Sequence, residues 1–197
     1  RSHAAHLFRM VGDASPAMRL LLLLRFGMTL AFHVFNVVLM PSLKSKFGLG
    51  PKEMGLLMGG VGVFYTGSQL VVAPAAISFV QRRGEVAQKR LVLVCVAVMA
   101  AGRAAAYLSH NMHTAGSAMV LVIMALGTLN TFISARVSLL AADDALGATF
   151  GLFEAAEKVA GISGPLLGGV LAHMQPDTGP VIFVLLGYVA LLVVIGH

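Results

Sequence analysis

Six apolar runs, each near the length needed to cross a bilayer, occupy almost the whole chain and constrain it more than any other feature. About twenty consecutive apolar residues span the hydrocarbon as a helix. The runs fall at residues 17–40, 53–80, 91–108, 115–140, 146–173 and 180–196. β-Branched residues mix with Leu, Ala, Gly and Met over long stretches, which favours helices over the short alternating strands of a barrel. The expectation is an all-α polytopic membrane protein with six transmembrane helices. Charge content excludes a soluble fold. Only 11% of the residues are charged, against about a quarter in ordinary soluble domains, and an apolar outer surface is what lipid requires.

The connectors are short. Ser42–Glu53 joins the first two segments with Gly48, Gly50 and Pro51 as breakers, and the basic stretch QRRGEVAQKR, Gln81–Arg90, joins the second and third. SHNMHT, AADDA and QPDTG link the rest. Neighbouring helices should therefore run antiparallel in one bundle, a single transmembrane domain over residues 17–197 after a tail of residues 1–16. Arg1, Arg9, Arg19, Arg82, Arg83, Lys89, Arg90 and Arg136 fall on one side, and Lys44, Lys46 and Lys52 on the other. This excess places both termini on the cytoplasmic or equivalent side. The same clustering reads as topology control, so nucleic acid is not expected as a partner and the bilayer is. The chain begins Arg1-Ser2-His3, as a processed product, a trimmed chain or the later part of a longer polypeptide would. The tail resembles the remnant of an organelle-targeting peptide. The single cysteine, Cys95, lies in an apolar run and excludes an intrachain disulfide.

Ionisable groups at mid-helix cost about 2.5–3.5 kcal/mol each on insertion scales, so each needs a role. Arg25, His33 and Asn36 interrupt the first helix, Gln69 the second, Arg103 the third and Asn130 the fourth. Glu154, Glu157 and Lys158 cluster in the fifth. Glu154 and Lys158 have the spacing and order of an intrahelical pair. Glu154 and Arg25 each lie roughly 12 Å from their helix ends, so they are expected to meet across the bundle. One reading makes Arg25, Arg103, Glu154 and Lys158 structural ion pairs locking helix five to helices one and three. The other makes Glu154 or Glu157 a proton-coupling carboxylate on a pathway lined by Arg25, Asn36, Gln69 and Asn130. Glycines supply a second pattern. Gly55 and Gly59 in helix two, and Gly161, Gly164 and Gly168 in helix five, form small-residue faces for close helix packing. Pro165 makes the latter a candidate hinge. Helices two and five are each the middle of a three-helix set, and the sets run in opposite senses, as in an inverted repeat.

The stretch GATFGLFEAAEKVAGISGPLLGGVLAHM, Gly147–Met174, resembles the eleventh helix of major facilitator superfamily transporters, with Gly164, Pro165, Gly168 and Gly169 as its Gly-Pro element. GLLMGGVGVFYTGSQLVVAP, Gly55–Pro74, is similar to their eighth helix. The resemblance implies the C-terminal six-helix half of such a protein, closest to drug/proton antiporter-like and organic-cation-transporter-like members. It further implies movement of a small organic solute, coupled to protons, alongside a second six-helix half. The basic connector departs from the family pattern in lacking an acidic residue before its basic run. Because one half alone cannot rock around a central site, the alternative is a non-transporting accessory subunit of a larger membrane complex.

No enzyme is expected. Gly161-Ile162-Ser163-Gly164 matches the short serine element of rhomboid-like proteases. Helix six, however, offers only the terminal His197, and His173 lies roughly 15 Å along the serine's own helix. His110 with His113, and His3 with His6, lack the further ligands that zinc needs. No metal and no cofactor is expected, and the phosphate-cradling and CxxC motifs are missing.

Overall fold

The computed structural model describes residues 15–142, 145–176 and 178–196. Residues 1–14 of the expected tail, with Arg1 and Arg9, lie outside the described residues, as do Asp143, Asp144, Asp177 and His197. The described residues form six helices: α1, Pro16–Phe47; α2, Pro51–Gln81; α3, Glu85–Leu108; α4, Met112–Leu140; α5, Leu146–Met174; and α6, Gly179–Gly196. Five are long and apolar enough to cross a membrane, and α5 is not among them. Its first half carries Glu154, Glu157 and Lys158 and its second half is glycine-rich, which together lower its hydropathy.

Local chemistry sets the helix ends. Ser15 accepts a hydrogen bond from the Met18 amide at 3.2 Å and Pro16 opens α1, a favourable start because the orphan amides are capped and φ is preset. The expected stop at Pro41 is not observed. Proline removes one backbone bond, yet Leu39 and Leu43 on either side are buried in the same core, and α1 continues to Phe47. Lys44 and Lys46 thus occupy its last turn, where cations suit the helix dipole, and Gly48 ends it at φ 62°. With 32 residues, α1 is about 48 Å long, more than the hydrocarbon needs. The basic connector is likewise mostly helical. α3 begins at Glu85, and Gly84 at φ 86° makes the tight turn. Polar residues that read as loop extend the helices instead.

Two lysine caps fix which ends lie together. Lys46 donates to the Tyr107 carbonyl at 2.9 Å, joining the ends of α1 and α3. Lys89 donates to the Gly196 carbonyl at 2.7 Å, joining the start of α3 to the end of α6. The most extensive pairing is α1 with α5. α4 packs on α2 and α3, and α6 on α1 and α3. Exchanging α1–α3 for α4–α6 maps this network onto itself: α1–α5 becomes α4–α2, and α3–α4 becomes α6–α1. The main contacts of the two halves of the chain thus correspond, as an inverted repeat requires.

Glycines admit the closest approaches. A Cβ added at Gly164 would sit 2.5 Å from the His33 Cβ, and one at Gly168 would sit 2.8 Å from Val37 Cγ2, so α5 lies backbone-close on α1. Gly161 joins this seam, 3.4 Å from the His33 Nε2 by the same construction. The expected packing face of helix two does not pack inside the bundle: nothing lies within 4 Å of a Cβ at Gly55 or Gly59. α2 contacts its neighbours through Leu57, Tyr65, Ser68, Ala73, Ile77 and Val80, leaving Gly55 and Gly59 outside.

Candidate functional site

One chain of hydrogen bonds joins four helices. Arg25 of α1 donates to Glu157 Oε2 of α5 through Nε at 3.0 Å and Nη2 at 2.5 Å. Its Nη1 donates to Asn130 Oδ1 of α4 at 2.6 Å. Asn130 Nδ2 donates to the Tyr65 hydroxyl of α2 at 2.7 Å. The amide orientation follows from the chemistry, since a guanidinium can only donate and must meet the oxygen. The Arg25 and Glu157 side chains are 15% and 32% exposed, so the pair is held mostly out of solvent, where charge-assisted bonds are strong. Both bonds to Glu157 reach one oxygen, and Oε1 has no hydrogen bond among the described residues. The Tyr65 hydroxyl accepts from Asn130 and keeps its own proton to donate.

This chain borders a cavity of about 280 Å³ lined by Thr29, Phe32, His33, Tyr65, Asn130 and Glu157, with Val61, Ile123 and Leu126 as its apolar wall. Its shape follows from helix phase. At about 100° per residue, Glu157 lies within roughly 40° of Gly161, Gly164 and Gly168, the face that meets α1. Glu154 and Lys158 stand about 60° and 100° away from Glu157. On α1, Arg25, Thr29 and His33 recur at four-residue spacing and form one stripe.

A π-helical turn, Ser68–Val72, interrupts α2 just beyond Tyr65. The Ala73 amide bonds the Ser68 carbonyl, one residue further back than an α-helix allows, and Pro74 has no amide to restore the register. Ser68 donates to the Tyr65 carbonyl at 2.7 Å. Ser68 packs so tightly on α4 that a Cβ at Gly127 would run into its hydroxyl. The absent side chain at Gly127 thus lets α2 approach closely enough for Tyr65 to reach Asn130.

The other expected residues fall elsewhere. Arg25 pairs with Glu157 rather than with Glu154, a correction that the helix phase explains. Glu154 is exposed and lies 4.0 Å from Lys158, in a pair whose side chains are 62% and 75% exposed, which contributes little. Arg103 makes no ion pair with helix five. It is 1% exposed and sits against the rings of Tyr188 at 5.0 Å and Phe35 at 5.7 Å, with one long bond to the Met99 carbonyl. Among the described residues it has no carboxylate partner, and π faces stand in for one. Asn36 and Gln69 are half-buried and line no part of the cavity. Pro165 is exposed within α5. Tyr65, Thr29 and His33 also line the cavity, beyond the pathway residues expected from the sequence. The four-residue spacing from Arg25 marks Thr29 and His33, whereas nothing in the sequence distinguishes Tyr65. No group of histidines, cysteines and carboxylates able to hold a metal occurs among the described residues.

No match was found among curated proteins. The profile of the Major Facilitator Superfamily matches residues 21–196, from the second turn of α1 to the last residue of α6. The match covers all six helices, four of which line the cavity, and this chain belongs to the Major Facilitator Superfamily, a family of membrane transporters.

Proposed function

We propose that the chain is one six-helix half of a transporter for a small organic solute, with Glu157 as the proton-coupling carboxylate and Arg25 as its switchable partner. The observation that carries this reading is the Glu157–Arg25–Asn130–Tyr65 chain on the wall of a cavity. Its members sit on α5, α1, α4 and α2, so any change in one bond is felt by four helices. Protonating Glu157 removes the charge that holds the guanidinium and leaves Arg25 with Asn130 alone. Arg25 is then free to turn toward a solute or toward a neighbouring helix. A second apolar cavity of about 460 Å³, lined in part by Leu39, Leu57, Phe64 and Met119, shares Val61 and Ile123 with the first. It supplies a vestibule leading to the polar site from the Phe47 end of α1.

The open glycine stripe of α2 supports a second six-helix half as the partner, because Gly55 and Gly59 offer close backbone approach and meet nothing in this chain. The test is uptake by vesicles containing the gently extracted complex that the chain occupies, with and without Glu157→Gln. The variant is expected to retain the complex while losing uptake driven by a pH gradient. Undiminished gradient-driven uptake would refute the coupling role. A complex of many unrelated subunits without uptake would refute transport and support an accessory role.

A further inference from the structure

The basic connector between α2 and α3 is not used by the solute site. Folding sorts its cations into separate environments. Lys89 turns toward α6 and caps the Gly196 carbonyl. Arg83 lies over the Phe79 ring, 4.1 Å from its centroid, and Arg90 is exposed, with no hydrogen bond or ion pair among the described residues. Arg83 and Arg90 both line a groove of about 470 Å³ between α2 and α3, and no carboxylate shares that lining.

The rest of the groove lining is apolar. Val86, Arg90 and Val94 form a four-residue stripe on α3, about 12 Å long, with the two valines 68% and 58% exposed. Phe79 faces them from α2 at 54% exposure, and Leu91 completes the floor. The other neighbours of these helices are α4 and α6, so the groove opens outward from the bundle. An apolar floor at membrane depth is already at home in hydrocarbon. Two guanidinium groups with no carboxylate in the lining add selection for negative charge.

We propose that the α2–α3 groove binds an anionic phospholipid, with its phosphate held between Arg83 and Arg90 and one acyl chain lying on Phe79, Leu91 and Val94. A zwitterionic lipid presents its own ammonium to the same two cations and is disfavoured. Two arginines near a membrane surface, each contributing about fivefold, give roughly 25-fold retention over a neutral lipid.

The experiment is native mass spectrometry of the detergent-purified chain with equal amounts of phosphatidylglycerol and phosphatidylcholine. The wild type is expected to retain phosphatidylglycerol selectively. Arg83→Gln/Arg90→Gln should lose most of that preference, while Lys44→Gln/Lys52→Gln, with the same charge change at the opposite end, should keep it. Ala87→Trp, which fills the groove and leaves both arginines, should also reduce retention. Equal retention of the two lipids by the wild type would overturn the proposal. So would equal losses in the two double variants, which would indicate bulk charge. Displacement by soluble glycerol 3-phosphate as effective as displacement by the lipid would also overturn it, since the floor would then contribute nothing.

Discussion

Replacing Glu157 by Gln should destabilise the bundle more than a surface ion pair could, and the reason lies in what is left behind. The variant leaves the Arg25 guanidinium 15% exposed, with a neutral acceptor on α5 and the Asn130 oxygen on α4. Removing one partner of a fully buried pair costs about 3–5 kcal/mol, and breaking an exposed pair about 0.2–1 kcal/mol. With Glu157 itself 32% exposed, solvent relieves part of the cost, and a loss of about 2–3 kcal/mol is expected. In a chain of this length that corresponds to a fall of about 4–12 °C in Tm. Arg25→Met/Glu157→Gln should recover about half of the loss, because it removes the orphaned charge as well as the bond. The assay is thermal unfolding of detergent-purified single and double variants, followed by circular dichroism. A double variant whose loss equals the sum of the two single losses would refute direct coupling between these side chains.

Gly164→Ala should destabilise by about 1–3 kcal/mol, since its methyl would meet the His33 Cβ at 2.5 Å, whereas Gly55→Ala should be neutral or slightly stabilising in the isolated chain. The same thermal unfolding compares the two. Tyr65→Phe should leave Asn130 Nδ2 unpaired, costing about 0.5–1.5 kcal/mol, and should weaken solute binding in an uptake assay more than it slows turnover. Ser15→Ala removes the cap on α1 and should cost about 1 kcal/mol, read as earlier fraying of that terminus by hydrogen exchange.

The fold was legible because its strongest signals are additive: six long apolar runs and short connectors leave few alternatives. Helix ends in α5 and α6 follow from the short connectors beside them, since α5 by itself is not apolar enough to read as a span. Those at Pro41 and in the basic connector do not, because there the helix outlasts the hydrocarbon and polar residues read as loop. Arg25, Asn130 and Glu157 stood out as costly residues in lipid. Pairing Arg25 with Glu157 rather than Glu154 needed the face of α5 that Gly161, Gly164 and Gly168 turn toward α1, and depth alone cannot supply it. Arg103 misled because a buried cation suggests an anion, while the structure places aromatic rings around it. Tyr65 was hidden because its reach depends on a π turn and on the missing side chain of Gly127.

The pairing of α1 with α5 also bears on how the protein is made. Arg25 and Glu157 are 132 residues apart, so at about 5–20 residues per second the ribosome delivers the carboxylate about 7–26 s after the arginine. Through that interval the first helix carries a charge whose insertion costs about 2.5–3.5 kcal/mol without its partner. α1 therefore gains its interhelical ion pair only after α5 has been made, so this contact joins the two halves of the chain late in synthesis.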